Sequence, residues 1–216
     1  MTAAARARRA VVDTVRWLMA RRLYTGTSGN VSARSGDGLL ITPTGVACDD
    51  VDAASIVALT LDGVARGAFA PSSEWRIHRD IYRRRPDVGA VVHTHSTFAT
   101  ALSCLRRPIP AFHYVVAKAG GGDLRCARYA TYGSEALSRN ALAALGDGRR
   151  ACLLANHGLL ALGADLAAAR LLAEEMEALC EQYIHARSAG TPVILSAGEM
   201  KRVRAKFATY GRKTPS

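Results

Sequence analysis

The sequence has no CxxC pair, no GK[ST] phosphate loop and no GxGxxG dinucleotide turn, and its longest apolar runs, at 151–155 and 158–162, fall far short of a membrane span of ~20 residues. Each absence removes a class. The five cysteines, Cys48, Cys104, Cys126, Cys152 and Cys180, are odd in number and scattered, which excludes a disulfide framework or a zinc ribbon and fits a reducing, cytoplasmic compartment. Aromatic residues are only 6% and do not interleave with the arginine clusters, so a stacking platform for single-stranded nucleic acid is absent. Acidic residues are also short, 18 against 29 Lys plus Arg, for a net charge of +11. The basic surface attracts anions, but it is read as a solvated arginine-rich exterior and no nucleic-acid or membrane partner is expected.

What remains is an ordinary globular chain. Its 216 residues are 49% hydrophobic and 22% charged, with no internal repeat and no linker, so one domain over residues 1–216 is expected. Helical apolar spacing covers 6–23, ending before the glycine-bearing loop 24–30; strands at 31–34 and 39–42 flank the turn Ser35-Gly-Asp-Gly38 and predict a hairpin. A short helix near 51–54 and a strand over 56–61 follow. Pro71-Ser-Ser-Glu74 opens a helix, with Ser72 or Ser73 as N-cap, that ends at Arg85 before Pro86 and carries Glu74, Ile77, His78, Ile81 and Tyr82 on one face. Strands at 88–94 and 151–155 and helices at 97–105, 134–145 and 165–187 complete an alternating α/β pattern, which implies a layered domain with a mixed or antiparallel sheet.

The chemistry concentrates in the histidines. His93 and His95 are two residues apart at the end of the apolar run 89–92, so on a strand both imidazoles face the same way. His157, followed by Gly158, ends the strand candidate 151–155; if the two strands are neighbours, three imidazoles meet. Three nitrogen ligands without a nearby cysteine describe an open, catalytic cation site rather than a closed structural one. His78 and His113 are read as packing or orienting residues. Three loops, 25–30, 42–45 and 71–73, combine hydroxyls with flexible or helix-starting backbone, which suits a phosphate. A small phosphorylated substrate beside a metal explains both features together.

Seven motifs, Gly26-Thr-Ser-Gly-Asn-Val-Ser32, Ile41-Thr-Pro-Thr-Gly45, Pro71-Ser-Ser-Glu-Trp-Arg76, Val91-Val-His-Thr-His95, Ile109-Pro-Ala-Phe-His-Tyr114, Asn156-His-Gly158 and Lys206-Phe-Ala-Thr-Tyr-Gly211, resemble the class II aldolase/adducin family in order and over nearly the whole chain. The resemblance implies a three-layer α/β/α subunit with a central mixed, largely antiparallel sheet. It also implies a Zn²⁺-dependent aldolase acting on a sugar phosphate, and a homotetramer with active sites between subunits. By this resemblance His93, His95, His157 and Glu74 would hold Zn²⁺, with Glu74 also the acid/base. Thr27, Asn30, Thr44, Gly45, Ser72 and Ser73 would bind the phosphate. Tyr114 would serve the aldehyde oxygen across a subunit boundary, and Tyr210 would close over the aldehyde.

The implied reaction is cleavage of a ketose 1-phosphate between C3 and C4, with L-fuculose 1-phosphate the first substrate expected. Its barrier is the negative charge left on the dihydroxyacetone phosphate half. A Zn²⁺ that lowers the pKa of bound water from ~15.7 to ~7 supplies roughly 12 kcal/mol of anion stabilisation, so no Schiff-base lysine is needed and Lys118 is not required as one. Within the family, a 5-deoxyribulose 1-phosphate aldolase, a methylthioribulose 1-phosphate dehydratase and a ribulose-phosphate 4-epimerase are alternatives, as is a non-catalytic adducin-like module. Glu74 and Trp75 disfavour the epimerase. Tyr132, where a Phe is common, and Asn156, where a His is common, leave the aldehyde open.

Overall fold

A computed structural model describes residues 2–210. Six α-helices are described: α1 (Ala3–Ala20), α2 (Trp75–Arg84), α3 (Thr97–Ser103), α4 (Glu135–Leu145), α5 (Leu166–Ala189) and α6 (Ala197–Thr209). The strands are β1 (Asn30–Ser35), β2 (Gly38–Ile41), β3 (Val57–Thr60), β4 (Ala65–Arg66), β5 (Ala90–Thr94), β6 (Cys126–Ala127), β7 (Ala151–Leu154) and β8 (Gly158–Gly163). They form one eight-stranded sheet in the order β4-β3-β2-β1-β5-β8-β7-β6, antiparallel everywhere except between β6 and β7.

Both faces of this sheet are covered, and the sequence shows why. Every residue of β5, β7 and β8 is buried, as expected for strands with a helical layer on each side. Alternate residues serve alternate cores. Ala90, Val92, Leu153, Leu159 and Ala161 pack with α1, α3 and α5, whereas Val91, Cys152, Leu154, Leu160 and Leu162 pack with α2 and α4. The expected three-layer arrangement with a mixed, largely antiparallel sheet is therefore present. His93 has the parity of Val91, so its ring belongs to the layer of α2.

Several expectations change in detail. The run 158–163 is a strand of its own, and it lies between β5 and β7, which are not neighbours. An unbroken apolar run with no alternation gives no period from which a strand can be read. The helix predicted near 51–54 is instead a 3₁₀ turn over Cys48–Asp50, and α6, with one buried residue, Met200, presents too sparse an apolar stripe for its sequence to predict a helix. At α2 the N-cap is Glu74 rather than a serine; its side chain makes no cap bond, and the Ser72 hydroxyl accepts the Glu74 amide at 3.3 Å. Gly211, the last residue of the C-terminal motif, lies outside the described residues.

Two arginines serve the fold from inside it. Arg34 donates to the carbonyls of Val88, Tyr82 and Arg85 at 2.9–3.1 Å and so closes the end of α2, while Arg85 pairs with Asp87 at 2.8 Å. All five cysteines are free, as the spacing required. Among the described residues no helix is long and apolar enough to cross a membrane.

The turn leaving β5 is tied down by α5. Glu177 accepts from the Ser96 hydroxyl at 2.7 Å and from the amides of Phe98 and Ala99 at 2.8 Å, placing a carboxylate where the first turn of α3 exposes its donors. Glu177→Ala should therefore lower unfolding stability by about 2 kcal/mol, the scale of hydrogen bonds to a charged group. Urea unfolding measures it, and a midpoint equal to that of the parent would show that Glu177 carries no such load.

Candidate metal centre and active site

β5 delivers two imidazoles and the β7–β8 turn a third. His93 lies inside β5, opposite Leu160 of β8 on one side and Asn30 of β1 on the other, while His95 stands just beyond the strand end. His157 reaches them because β7 turns directly into β8, the strand paired with β5. The turn is made by Asn156 at φ 51°, a left-handed conformation that Asn tolerates better than most residues. Gly158 is needed for close approach: a Cβ there would collide with the Thr94 carbonyl and sit 3.1 Å from the His95 ring. Gly29 is constrained in the same way, at φ +97° with the His93 carbonyl 2.7 Å from where a Cβ would be.

The result is a compact triangle. The centroids of His93, His95 and His157 are 4.8 Å apart in each pairing, and the Nε2 atoms of His93 and His95 are separated by 2.9 Å. Glu74 closes the group, with Oε2 3.1 Å from His93 Nε2 and Oε1 3.3 Å from His157 Nε2. Donors held about 2.0–2.1 Å from one tetrahedral cation lie about 3.3 Å from each other, so these separations suit ligands of a shared ion. Glu74 Oε1 is buried and has no hydrogen-bond partner, so its negative charge suits a cation among these donors. His93 Nδ1 donates to the Leu159 carbonyl at 2.9 Å, which keeps Nε2 free to ligate. His95 is the exposed member, and it opens the cluster to solvent.

The electrostatics are those of two imidazoles held neutral and a third favoured in its charged form by the adjacent carboxylate. Desolvation and the neighbouring rings push His95 down to about 3, and desolvation beside His93 pushes His157 down to about 4. His93 moves the other way: burial opposes its charge, but the adjacent Glu74 outweighs it. For Glu74 burial favours protonation, yet His93, His157 and the Asn30 amide hold it below the usual carboxylate range. Four donors, three nitrogens and one oxygen, all within 4.8 Å of one another, can therefore hold a divalent cation.

The three hydroxyl-bearing loops converge beside the cluster. The Thr42 amide donates to the Val31 carbonyl, the Cys48 amide to Gly26, the Thr44 amide to Ala70 and the Ser72 amide to Thr42, at 2.8–3.1 Å. Thr27, Thr44, Gly45 and Ser73 are exposed there, Ser72 is buried, and Gly133 packs on Ser73 from the loop that carries the exposed Tyr132. Asn30 is engaged already: its Nδ2 donates to Glu74 Oε2 at 2.9 Å, a bond the spacing of the motifs did not reveal. Tyr114 and Tyr210, by contrast, are half or more exposed and flank Phe207 at 6.1 and 6.2 Å. They line a cavity of about 790 Å³ with Phe112, His113 and Lys118, and no member of the histidine cluster lines it. Within one chain they do not join the site.

This fold and donor set define a class, and comparison with known proteins agrees. Residues 9–184 match the family described as Class II Aldolase and Adducin N-terminal domain, and the chain belongs to that family. It is 54% identical over 204 residues to the 5-methylthioribulose-1-phosphate/5-deoxyribulose-1-phosphate aldolase of Rhodospirillum rubrum, covering 94% of this chain and 92% of that protein. It is 45% identical to an L-fuculose phosphate aldolase of Escherichia coli, with 94% of each covered. A solved L-fuculose 1-phosphate aldolase superposes with a TM-score of 0.91 at 38% identity, covering 96% of this chain and 98% of that one. The chain is thus a lyase of the class II, metal-dependent aldolase type.

Binding of a cation by the native state alone must stabilise it. At a free concentration of ~100 Kd the gain is about 2.7 kcal/mol, which for a chain of this size raises the melting temperature by about 5–10 °C. Thermal melts of chelator-treated protein with and without added Zn²⁺ should show this rise, and His95→Ala should abolish most of it. An equal rise in His95→Ala would place the ion elsewhere.

Proposed function

We propose that the chain catalyses Zn²⁺-dependent retro-aldol cleavage of a 5-deoxypentulose 1-phosphate, either 5-deoxyribulose 1-phosphate or its 5-methylthio analogue, to dihydroxyacetone phosphate and a short aldehyde. The observation that carries this reading is the buried, unpartnered Glu74 Oε1 facing three imidazoles beside three hydroxyl-bearing loops. The higher identity to the Rhodospirillum rubrum enzyme, 54% against 45%, favours the pentulose over L-fuculose 1-phosphate. L-fuculose 1-phosphate is the second reading, supported by the 0.91 TM-score.

In this account His93, His95, His157 and Glu74 hold the cation, which when bound supplies Lewis-acid stabilisation of the negative charge on the dihydroxyacetone phosphate half. The chain does the rest. Hydroxyls and amides of Thr27, Thr44, Gly45, Ser72 and Ser73 receive the phosphate, and the second hydrogen on Asn30 Nδ2 is left for a substrate oxygen. As the C3–C4 bond breaks, its electron pair stays with C3 and the C4–O bond becomes a carbonyl. The proton leaving O4 passes to Tyr114 in its phenolate form, and Glu74, released from the cation by substrate and protonated, gives its proton to C3; return of the Tyr114 proton to Glu74 through solvent resets both groups, so the overall change is a proton moved from O4 to C3.

Tyr114 must then come from a second copy, because in its own chain it stands with Phe207 and Tyr210 away from the cluster. A ring-shaped homotetramer that seats Tyr114 against the neighbouring cluster, with Tyr210 closing over the aldehyde, accounts for two tyrosines exposed by 50% and 78%.

A coupled assay for dihydroxyacetone phosphate tests the reading. Dialysis against chelator should abolish release and Zn²⁺ should restore it; undiminished turnover in metal-free protein would refute the mechanism. With metal present, kcat/KM for 5-deoxyribulose 1-phosphate should exceed that for L-fuculose 1-phosphate by about 10-fold, and the reverse order would return the assignment to L-fuculose. Glu74→Gln should lose about 100-fold or more in kcat, the scale of a positioned acid/base.

A further inference from the structure

We propose that His78, which takes no part in the metal or phosphate sites, is a positioning residue that fixes Glu74 through the carboxamide of Asn30. Its ring lies fully buried on α2, and a continuous hydrogen-bonded chain runs through it. Tyr82 OH meets Ser32 Oγ at 2.8 Å, Ser32 Oγ meets His78 Nδ1 at 2.6 Å, His78 Nε2 meets Asn30 Oδ1, and Asn30 Nδ2 meets Glu74 Oε2 at 2.9 Å. Ser32 and Asn30 face α2 because they sit opposite Val91 and His93 in the β1–β5 pairing and share their side of the sheet.

Only one direction of donation satisfies every atom. Glu74 as a carboxylate accepts only, so Asn30 must present Nδ2 to it and Oδ1 to His78. An oxygen at that position requires Nε2–H, which leaves Nδ1 as an acceptor. Ser32 must then give its single hydrogen to Nδ1 and accept from Tyr82. Burial holds His78 in the neutral form that this arrangement needs, down to about 3. The chain thus pins one tautomer and one amide orientation in a region where an unpaired polar atom costs about 1–3 kcal/mol.

The consequence falls on the two oxygens of Glu74. With the Asn30 amide unable to turn over, Oε2 stays engaged, and Oε1, the oxygen without a hydrogen bond, is the one left to exchange hydrogen with C3 once substrate takes its place at the cation. This inference rests on the assignment of Glu74 as the group that exchanges that hydrogen, and it explains why a buried histidine, serine and tyrosine line up behind a carboxylate on the far side from solvent. Partners behind a ligand of this kind commonly alter activity 10- to 100-fold when removed.

Two measurements on the zinc-loaded enzyme test it. Long-range ¹H–¹⁵N correlation of histidine-labelled protein, with His78 identified by the loss of its signals in His78→Gln, should show Nε2 protonated and Nδ1 bare. A protonated Nδ1 would overturn the chain outright, whatever the enzyme's activity. Exchange of the C3 hydrogens of dihydroxyacetone phosphate with D₂O should slow about 10- to 100-fold in His78→Phe, with full zinc content and a dissociation constant for dihydroxyacetone phosphate within about 3-fold of the parent's. His78→Gln, which keeps a donor near the position of Nε2, should recover most of the rate. Unchanged exchange in His78→Phe would refute the positioning role. Should that variant fail to fold, Ser32→Ala decides: it removes only the hydroxyl that fixes the tautomer and should slow exchange several-fold, and an unchanged rate refutes the role. Absence of exchange in the parent, or full exchange in Glu74→Gln, would instead refute the assignment of Glu74.

Discussion

The antiparallel contact between β5 and β8, tight enough that residue 158 has no room for a side chain, is the constraint on which the site depends. It sets His93 and His95 at one strand end and brings His157 over the same edge from the turn before β8. Glu74 can complete the set because His93 faces the α2 layer, and Glu74 is the residue at which α2 begins. One packing decision, the parity of β5, thereby selects which helix start supplies the carboxylate. A one-residue slip of β5 would turn His93 toward the α5 side and leave Glu74 alone.

The same arrangement explains why the donors are crowded at some electrostatic cost. Three imidazoles within 4.8 Å of each other disfavour positive charge on more than one of them, which holds His95 and His157 in the neutral form that binds a cation. Burying Glu74 among them, with one oxygen bonded to Asn30 and the other facing His157 without a hydrogen bond, leaves an unmet interaction at the centre of the fold. The surrounding scaffold sustains it: two hydrophobic cores on either face of the sheet and the Glu177 carboxylate on the α3 start hold the strand ends in place.

How much of this was legible in the sequence follows from which signals are local. The i, i+2 spacing of His93 and His95, the hairpin around Gly36 and the face of α2 are written in short-range periodicity, and all are present in the structure. The meeting with His157 was legible only as a condition, and it is met by a different route: the strand beside β5 is β8, whose uninterrupted apolar sequence hides its alternation because both of its faces are buried. The departure of Glu74 from capping duty, and the Asn30–His78–Ser32–Tyr82 chain behind it, depend on residues 44 to 50 positions apart, which no local pattern encodes. Tyr114 and Tyr210, which the motifs grouped with the site, stand apart from it within the chain, lining the cavity with Phe112 and Lys118.

The central claim is that Glu74, His93, His95 and His157 grip a single divalent ion. Anomalous diffraction from zinc-loaded crystals, recorded on both sides of the zinc absorption edge, addresses it most directly. The account predicts one strong peak at the centre of the histidine triangle, within bonding distance of all three Nε2 atoms. A peak at any other position, with the triangle vacant, would contradict it.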